Sequence, residues 1–157
     1  MVMFTKFNPT DVKIKELADR LMNDHLYLSD EFRDWTLIHK ALFNNFGNEN
    51  NIFYEIGEWG GLVGFMNIVP EFKCEIGLKL WSPEFWGFRF KTQFKQLIKT
   101  IMEKYDLKRM AGESPDERMV KLAKICGFRI EGRFKNAFRW ERKMYTLHKM
   151  RTLREEV

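Results

Sequence analysis

The side chains able to do chemistry are thinly spread. His25, His39 and His148 fall on predicted helices and on the last predicted strand, with no triad partner in view, so each reads as structural. Cys74 and Cys126 belong to no CxxC pair and no Cys/His ligand cluster, which argues against a zinc site or a disulfide framework and fits a reducing compartment. Two carboxylates, Glu75 and Glu113, stand on or at the end of predicted strands. A general base could stand there, although a solvated or lysine-paired carboxylate is the plainer reading. Lys91, Lys95 and Lys99 recur every four residues and so share one face of a helix. That row could meet an anionic ligand, or it could simply be a solvated face.

Charge narrows the options a little further. The chain has 27 Lys and Arg against 22 Asp and Glu, a net +5 that is modest and distributed. It suits an anionic ligand such as a nucleotide-containing cofactor and is too small to argue for nucleic acid. Arg139, Arg142, Lys143, Lys149, Arg151 and Arg154, with Phe138, Trp140 and Tyr145, do make a basic, aromatic C-terminus. Alternation along a strand accounts for those aromatics as core. The start, MVMFTKFNPTD, lacks the apolar core of a signal peptide. The most apolar stretch, Trp59 to Pro70, is too short and too rich in glycine to cross a bilayer, so a cytoplasmic protein is expected.

The elements that must position these residues follow from periodicity and punctuation. At 157 residues, 45% hydrophobic and 15% aromatic, the chain suits one domain, 1–150, with a fraying basic tail over 151–157. Phe4 to Phe7 reads as a first strand, and Asn8-Pro9-Thr10-Asp11 as a helix start with a capping side chain, a proline at the first helical position and an early acid. Ile14, Leu17, Ala18 and Leu21 give that helix its apolar face, to about Asn23. Ser29 and Asp30 can cap a second helix through Trp35, Ile38, Leu42 and Phe46. Ile52 to Ile56 and Leu62 to Val69 read as a hairpin, and Lys73 to Leu80 as the next strand. A long helix carries Phe90, Phe94, Leu97, Ile98, Ile101 and Tyr105, and Leu107 to Ala111 is a short strand. A final helix runs from Ser114-Pro115-Asp116-Glu117 to Gly127, before a closing hairpin over Phe128 to Phe134 and Trp140 to Leu147.

The predicted order, β-α-α-β-β-β-α-β-α-β-β with a mixed central sheet, resembles the Gcn5-related N-acetyltransferases (GNAT). Four segments carry the resemblance: Gly60 to Phe65, Glu75 to Gly87, Ser114 to Phe128, and Ile130 to Phe134 with Trp140 to Leu147. The second is most similar to the branch that acetylates ribosomal-protein N-termini. The resemblance implies an α/β acyl-CoA N-acyltransferase fold and acetyl transfer from acetyl-CoA to a primary amine (a protein N-terminus, a lysine or a small amine). It implies no metal and no membrane.

On that resemblance the cofactor residues are Trp86, Gly87, Phe88, Arg89, Phe90, Lys91, Thr92 and Asp116, and Glu75 is the base. A helix start with outward amides suits a pyrophosphate. The family's small loop residues fall here on Arg89 and Lys91, which either add positive charge around the phosphates or fill the cradle. An Asn that often contacts CoA falls on Asp116, and a Tyr frequent in the family as general acid falls on Ala123. A GNAT-fold protein without catalysis, similar to some bacteriophage internal virion proteins, is the alternative. A homodimer or a virion partner stays open as an association.

Overall fold

The burial of the second hairpin strand already shows why that strand sits centrally. In β3 (Gly61–Val69) the run Gly61 to Phe65 is buried on both faces, so both faces of the sheet are covered there. The computed structural model describes residues 3–156. It contains β1 (Phe4–Lys6), α1 (Asp11–Asn23), α2 (Trp35–Gly47), β2 (Ile52–Ile56), β3, β4 (Lys73–Leu80), α3 (Phe88–Lys104), β5 (Arg109–Ser114), α4 (Glu117–Ile125), β6 (Arg129–Trp140) and β7 (Lys143–Leu153). This is the predicted element order. The seven strands form one sheet in the order β1-β2-β3-β4-β5-β7-β6, antiparallel except for the β4–β5 pair.

Alternation of side chains along the strands builds two cores. Val63 and Phe65 join α3 and α4, where Phe90, Phe94, Ile98, Ile101 and Met102 are each at most 3% exposed. Each such side chain contributes about 1.5–3 kcal/mol on burial. Leu62 instead joins Leu17, Ala18, Leu21 and Ile38 of α1 and α2 on the opposite face.

Several boundaries differ from the sequence expectations. The α1 cap is Thr10, whose hydroxyl accepts from the Lys13 amide, so Pro9 precedes the helix rather than opening it. Asp30 opens only a single 3-10 turn (Asp30–Phe32), and Asp34 caps α2 through the Leu37 amide. The short strand lies later than Leu107 to Ala111, with Leu107 a fully buried anchor ahead of it. Gly127 does terminate α4: at φ 97° it lets the Phe128 amide reach the Ala123 carbonyl.

The closing hairpin turns at Glu141-Arg142 rather than over 135–139. Both residues have positive φ, 48° and 67°, the conformation of a two-residue type I′ turn. Neither is Gly, Asn or Asp, so the turn is locally strained. Asp30 compensates from a distant loop: its carboxylate accepts from the Glu141 amide at 2.8 Å and the Arg142 amide at 3.0 Å. The expected fraying after Met150 is also corrected. Arg151, Thr152 and Leu153 continue β7 against β5, with Thr152 fully buried.

Candidate functional site

Parallel pairing between β4 and β5 lasts for three residue pairs only, ending at Glu75↔Ala111. Beyond that, β4 follows β3 to Leu80 and β5 follows β7 to Ser114, so the strands part. At the vertex the backbones nearly touch. A Cβ on Gly112 would lie 2.9 Å from the Ile76 carbonyl oxygen, closer than real side chains come. The divergence opens a cleft of about 310 Å³. Its lining comes from both faces of the sheet: Ile76, Leu78, Phe94 and Leu122 from the α3/α4 side, and Gly77, Lys79 and the loop 25–28 from the α1 side. Alternate backbone N–H and C=O groups of Ile76 to Lys79 have lost their neighbour, and a ligand with amides of its own can pair with them.

Around this slot the predicted residues fall into separate groups. Gly87 caps α3, whose first intrahelical bond runs from the Lys91 amide to the Gly87 carbonyl. The amides of Phe88, Arg89 and Phe90 therefore have no helical partner, and no side chain caps them. A Cβ at Gly87 would meet only the Glu84 carbonyl, at 3.6 Å, so the approach is open. Phe88 projects into solvent, 84% exposed, whereas the Phe90 side chain is core and stacks on Phe94 at 5.3 Å. The Thr92 hydroxyl donates back to the Phe88 carbonyl. Arg89, Lys91, Lys95 and Lys99 have no ion-pair partner among the described residues, and neither Arg89 nor Lys91 is among the residues that line the cleft. Burial pushes the Cys126 thiol up to about 11, against the opposing pull of the Lys95 and Lys91 cations.

Asp116 does border the cleft. It caps α4 by accepting from the Arg118 amide at 2.9 Å, while its own amide donates to the Ser114 hydroxyl. Its negative charge is offset by the Arg118 guanidinium, 3.4 Å away, which also lies over the Trp86 ring. Glu75 sits at the last paired position, outside the cleft lining, with a carboxylate oxygen 2.9 Å from Asn67 Nδ2. Glu113 lines the cleft and faces Lys149 at 3.8 Å. Ala123, the position of the missing Tyr, lines it too.

The wall that sequence reasoning missed is the loop after α1. His25, Leu26 at φ 53°, Tyr27 and Leu28 border the cleft without any motif to mark them. The Tyr27 hydroxyl is pushed up by burial and by the Asp24 carboxylate, although the residue as a whole stays about a third exposed at 36%. Asp24 also holds Lys79 at 3.4 Å and accepts from Trp81 Nε1 at 3.1 Å. The one sequence signal available was the apolar Leu26-Tyr27-Leu28 between two polar helix ends.

Among the described residues no three His, Cys, Asp or Glu side chains group as metal ligands, and no helix is long and apolar enough to cross a membrane. No protein-family model matches the chain, and no curated protein matches it. Solved structures do. A ribosomal L7/L12 alpha-N-protein acetyltransferase (RimL) in complex with coenzyme A superposes with a TM-score of 0.72 at 15% identity, over 100% of this chain and 97% of that one. The spermidine N-acetyltransferase of Vibrio cholerae, in complex with CoA and spermine, superposes with a TM-score of 0.70 at 15% identity, over 98% and 97%. A V. cholerae SpeG point mutant gives 0.71 at 15% identity, over 98% and 96%. With its helices on both faces and its sheet parted between β4 and β5, the chain has the fold of the GNAT N-acetyltransferases.

Proposed function

We propose that this chain is an N-acetyltransferase that moves an acetyl group from acetyl-CoA to a primary amine. The observation that carries the reading is the slot through the sheet, lined from both faces, because it gives donor and acceptor separate approaches to one point. The residues present fit the donor. Unpaired backbone of Ile76 to Lys79 can bond the amides of a pantetheine arm, and apolar Leu78, Phe94 and Leu122 can enclose its carbon chain. The amides of Phe88, Arg89 and Phe90, with the cations of Arg89 and Lys91, suit a pyrophosphate beside Gly87. Trp86, Thr92 and Asp116, with its compensating Arg118, complete that surround.

Bound acetyl-CoA supplies a thioester carbonyl open to attack. The protein's part is to hold a neutral amine beside it and to take up the proton the amine loses. Glu75 is the base in this proposal, acting through water from the vertex of the slot. Glu113, which lines the cleft, is the second carboxylate to be tested. The new amide bond forms as the C–S bond breaks, and the departing thiolate takes a proton. Nothing here needs a metal or a nucleic acid. The segment from Glu75 to Gly87 favours a protein N-terminus as acceptor, in the manner of the ribosomal-protein branch.

Titration calorimetry with acetyl-CoA, followed by mass spectrometry of amine-containing acceptors, tests the reading. Micromolar binding, about −8 kcal/mol, with acetylated product is the expected result. No heat at millimolar ligand would leave the fold as a non-catalytic module, and a protein partner would then be sought.

A further inference from the structure

The cleft does not end at the sheet. On the α1/α2 face it shares Tyr27, Gly77 and Lys79 with a second cavity of about 90 Å³. The remaining walls include Leu17, Leu42, Phe46, Phe53 and Met66, with Asn45 as the polar residue at an exposed position of α2. Scaled against apolar cavities that admit an aromatic ring, that volume takes roughly four heavy atoms. It lies on the face opposite α3 and its N-terminal amides, and so on the acceptor side if the proposed function holds.

Charge decides what kind of amine fits there. Lys79 is the charged residue in this lining, and its ammonium lies 5.3 Å above the Tyr27 ring. Every carboxylate in the two linings, and Asp24 beside them, is engaged, while Glu75 lies outside both and is bonded to Asn67. Asp24 is shared between Lys79 and Trp81, Glu113 faces Lys149, and Asp116 caps α4 beside Arg118. A second ammonium seated in this cavity would meet the Lys79 cation and find no acid in its lining, at a desolvation cost with no return. An aliphatic or thioether group would meet carbon on nearly every side.

We infer that the acceptor is a monoamine whose amino carbon carries an apolar side group of about leucine or methionine size, seated in the second cavity, and that polyamines are disfavoured. The inference rests on the proposed transferase activity, yet its test separates the two. Transfer rates are compared for glycinamide, leucinamide, methioninamide and spermidine. Leucinamide and methioninamide should exceed glycinamide in kcat/KM by about tenfold or more, and spermidine by a wider margin. Leu42→Phe narrows the cavity and should collapse the leucinamide-to-glycinamide ratio, a ratio that a general loss of stability does not move. Methyl NMR on the wild-type protein needs no turnover: Leu42 and Met66 signals should shift with leucinamide and stay still with spermidine. A spermidine preference, a ratio near one, or unmoved methyls would each overturn the inference. Failure to bind acetyl-CoA would instead remove the proposed function, leaving the NMR titration to judge the cavity alone.

Discussion

Two interruptions of the sheet's ladder, at the β4–β5 seam and along β6, have opposite consequences. At the seam the strands separate into a concave slot lined mainly by apolar side chains, with backbone groups left for a ligand. Along β6 the pairing shifts at Ile130/Gly132 and at Phe134/Phe138, on an edge strand that carries Arg129, Arg133, Lys135 and Arg139. Bulges and cations are how proteins keep an exposed edge from pairing with another chain. From Arg129 to Leu153 there are eight Lys and Arg against two Glu, a net +6, which leaves −1 for the rest of a chain whose total is +5. The basic C-terminus thus includes a guarded edge, while the slot lies where the sheet's backbone is left bare.

The largest break in that comparison should come from closing the seam. Gly112→Val places carbon against the Ile76 carbonyl, and should weaken acetyl-CoA binding by about a hundredfold while destabilising by about 1–3 kcal/mol. Calorimetry and chemical denaturation read the two effects apart. Next, the Arg89→Glu, Lys91→Glu double variant should cost about tenfold or more in acetyl-CoA affinity, about 1.4 kcal/mol, and leave pantetheine binding unchanged. Equal loss for both ligands would show that the cations act on the fold and not on phosphate.

Glu75→Gln and Glu113→Gln sharpen the site itself. The carboxylate that takes the amine's proton should show a loss of about 10²–10⁴ in kcat with little change in acetyl-CoA affinity, and the other a small one. Glu75 is the expected base; a larger loss at Glu113 would move the base into the cleft lining.

The smallest effect belongs to the guarded edge. Asp30 is held below the usual carboxylate range, first by the Arg142 amide, then by the Glu141 amide and the Arg139 and Arg33 cations, against some loss of hydration. A carboxyl lowered in the folded state adds stability above its unfolded pKa, and that stability is lost as pH falls through the folded one. Asp30→Ala should therefore lower Tm by a constant amount near neutral pH, and the gap should close in acid. A gap that persists in acid would mean the carboxylate's charge is not what holds the hairpin turn.

Much of this was legible in the sequence wherever a local rule applied. Apolar spacing placed α1 and α3, and Gly127 marked the end of α4. The failures at the closing turn and at the slot share one physical origin, long-range compensation. Glu141-Arg142 turns because Asp30, more than a hundred residues earlier, satisfies its amides, and no local residue announces it. The same distance hid Asp30's role: it reads as a helix cap and serves as a clamp. The start of α3 at Gly87 was legible because a helix start is local, but the slot is a relation between β4 and β5 and has no motif. Tyr27 and Lys79 emerge only when Asp24 draws them together.

Backbone amide NMR during titration with acetyl-CoA tests the site most directly. Amides of Ile76 to Lys79 and of Phe88 to Lys91 should shift together and saturate at one concentration, while Lys73 and Cys74, on the closed side of the vertex, stay in place. Shifts confined to β6 and β7, or none at saturating ligand, would contradict a donor site between β4 and β5.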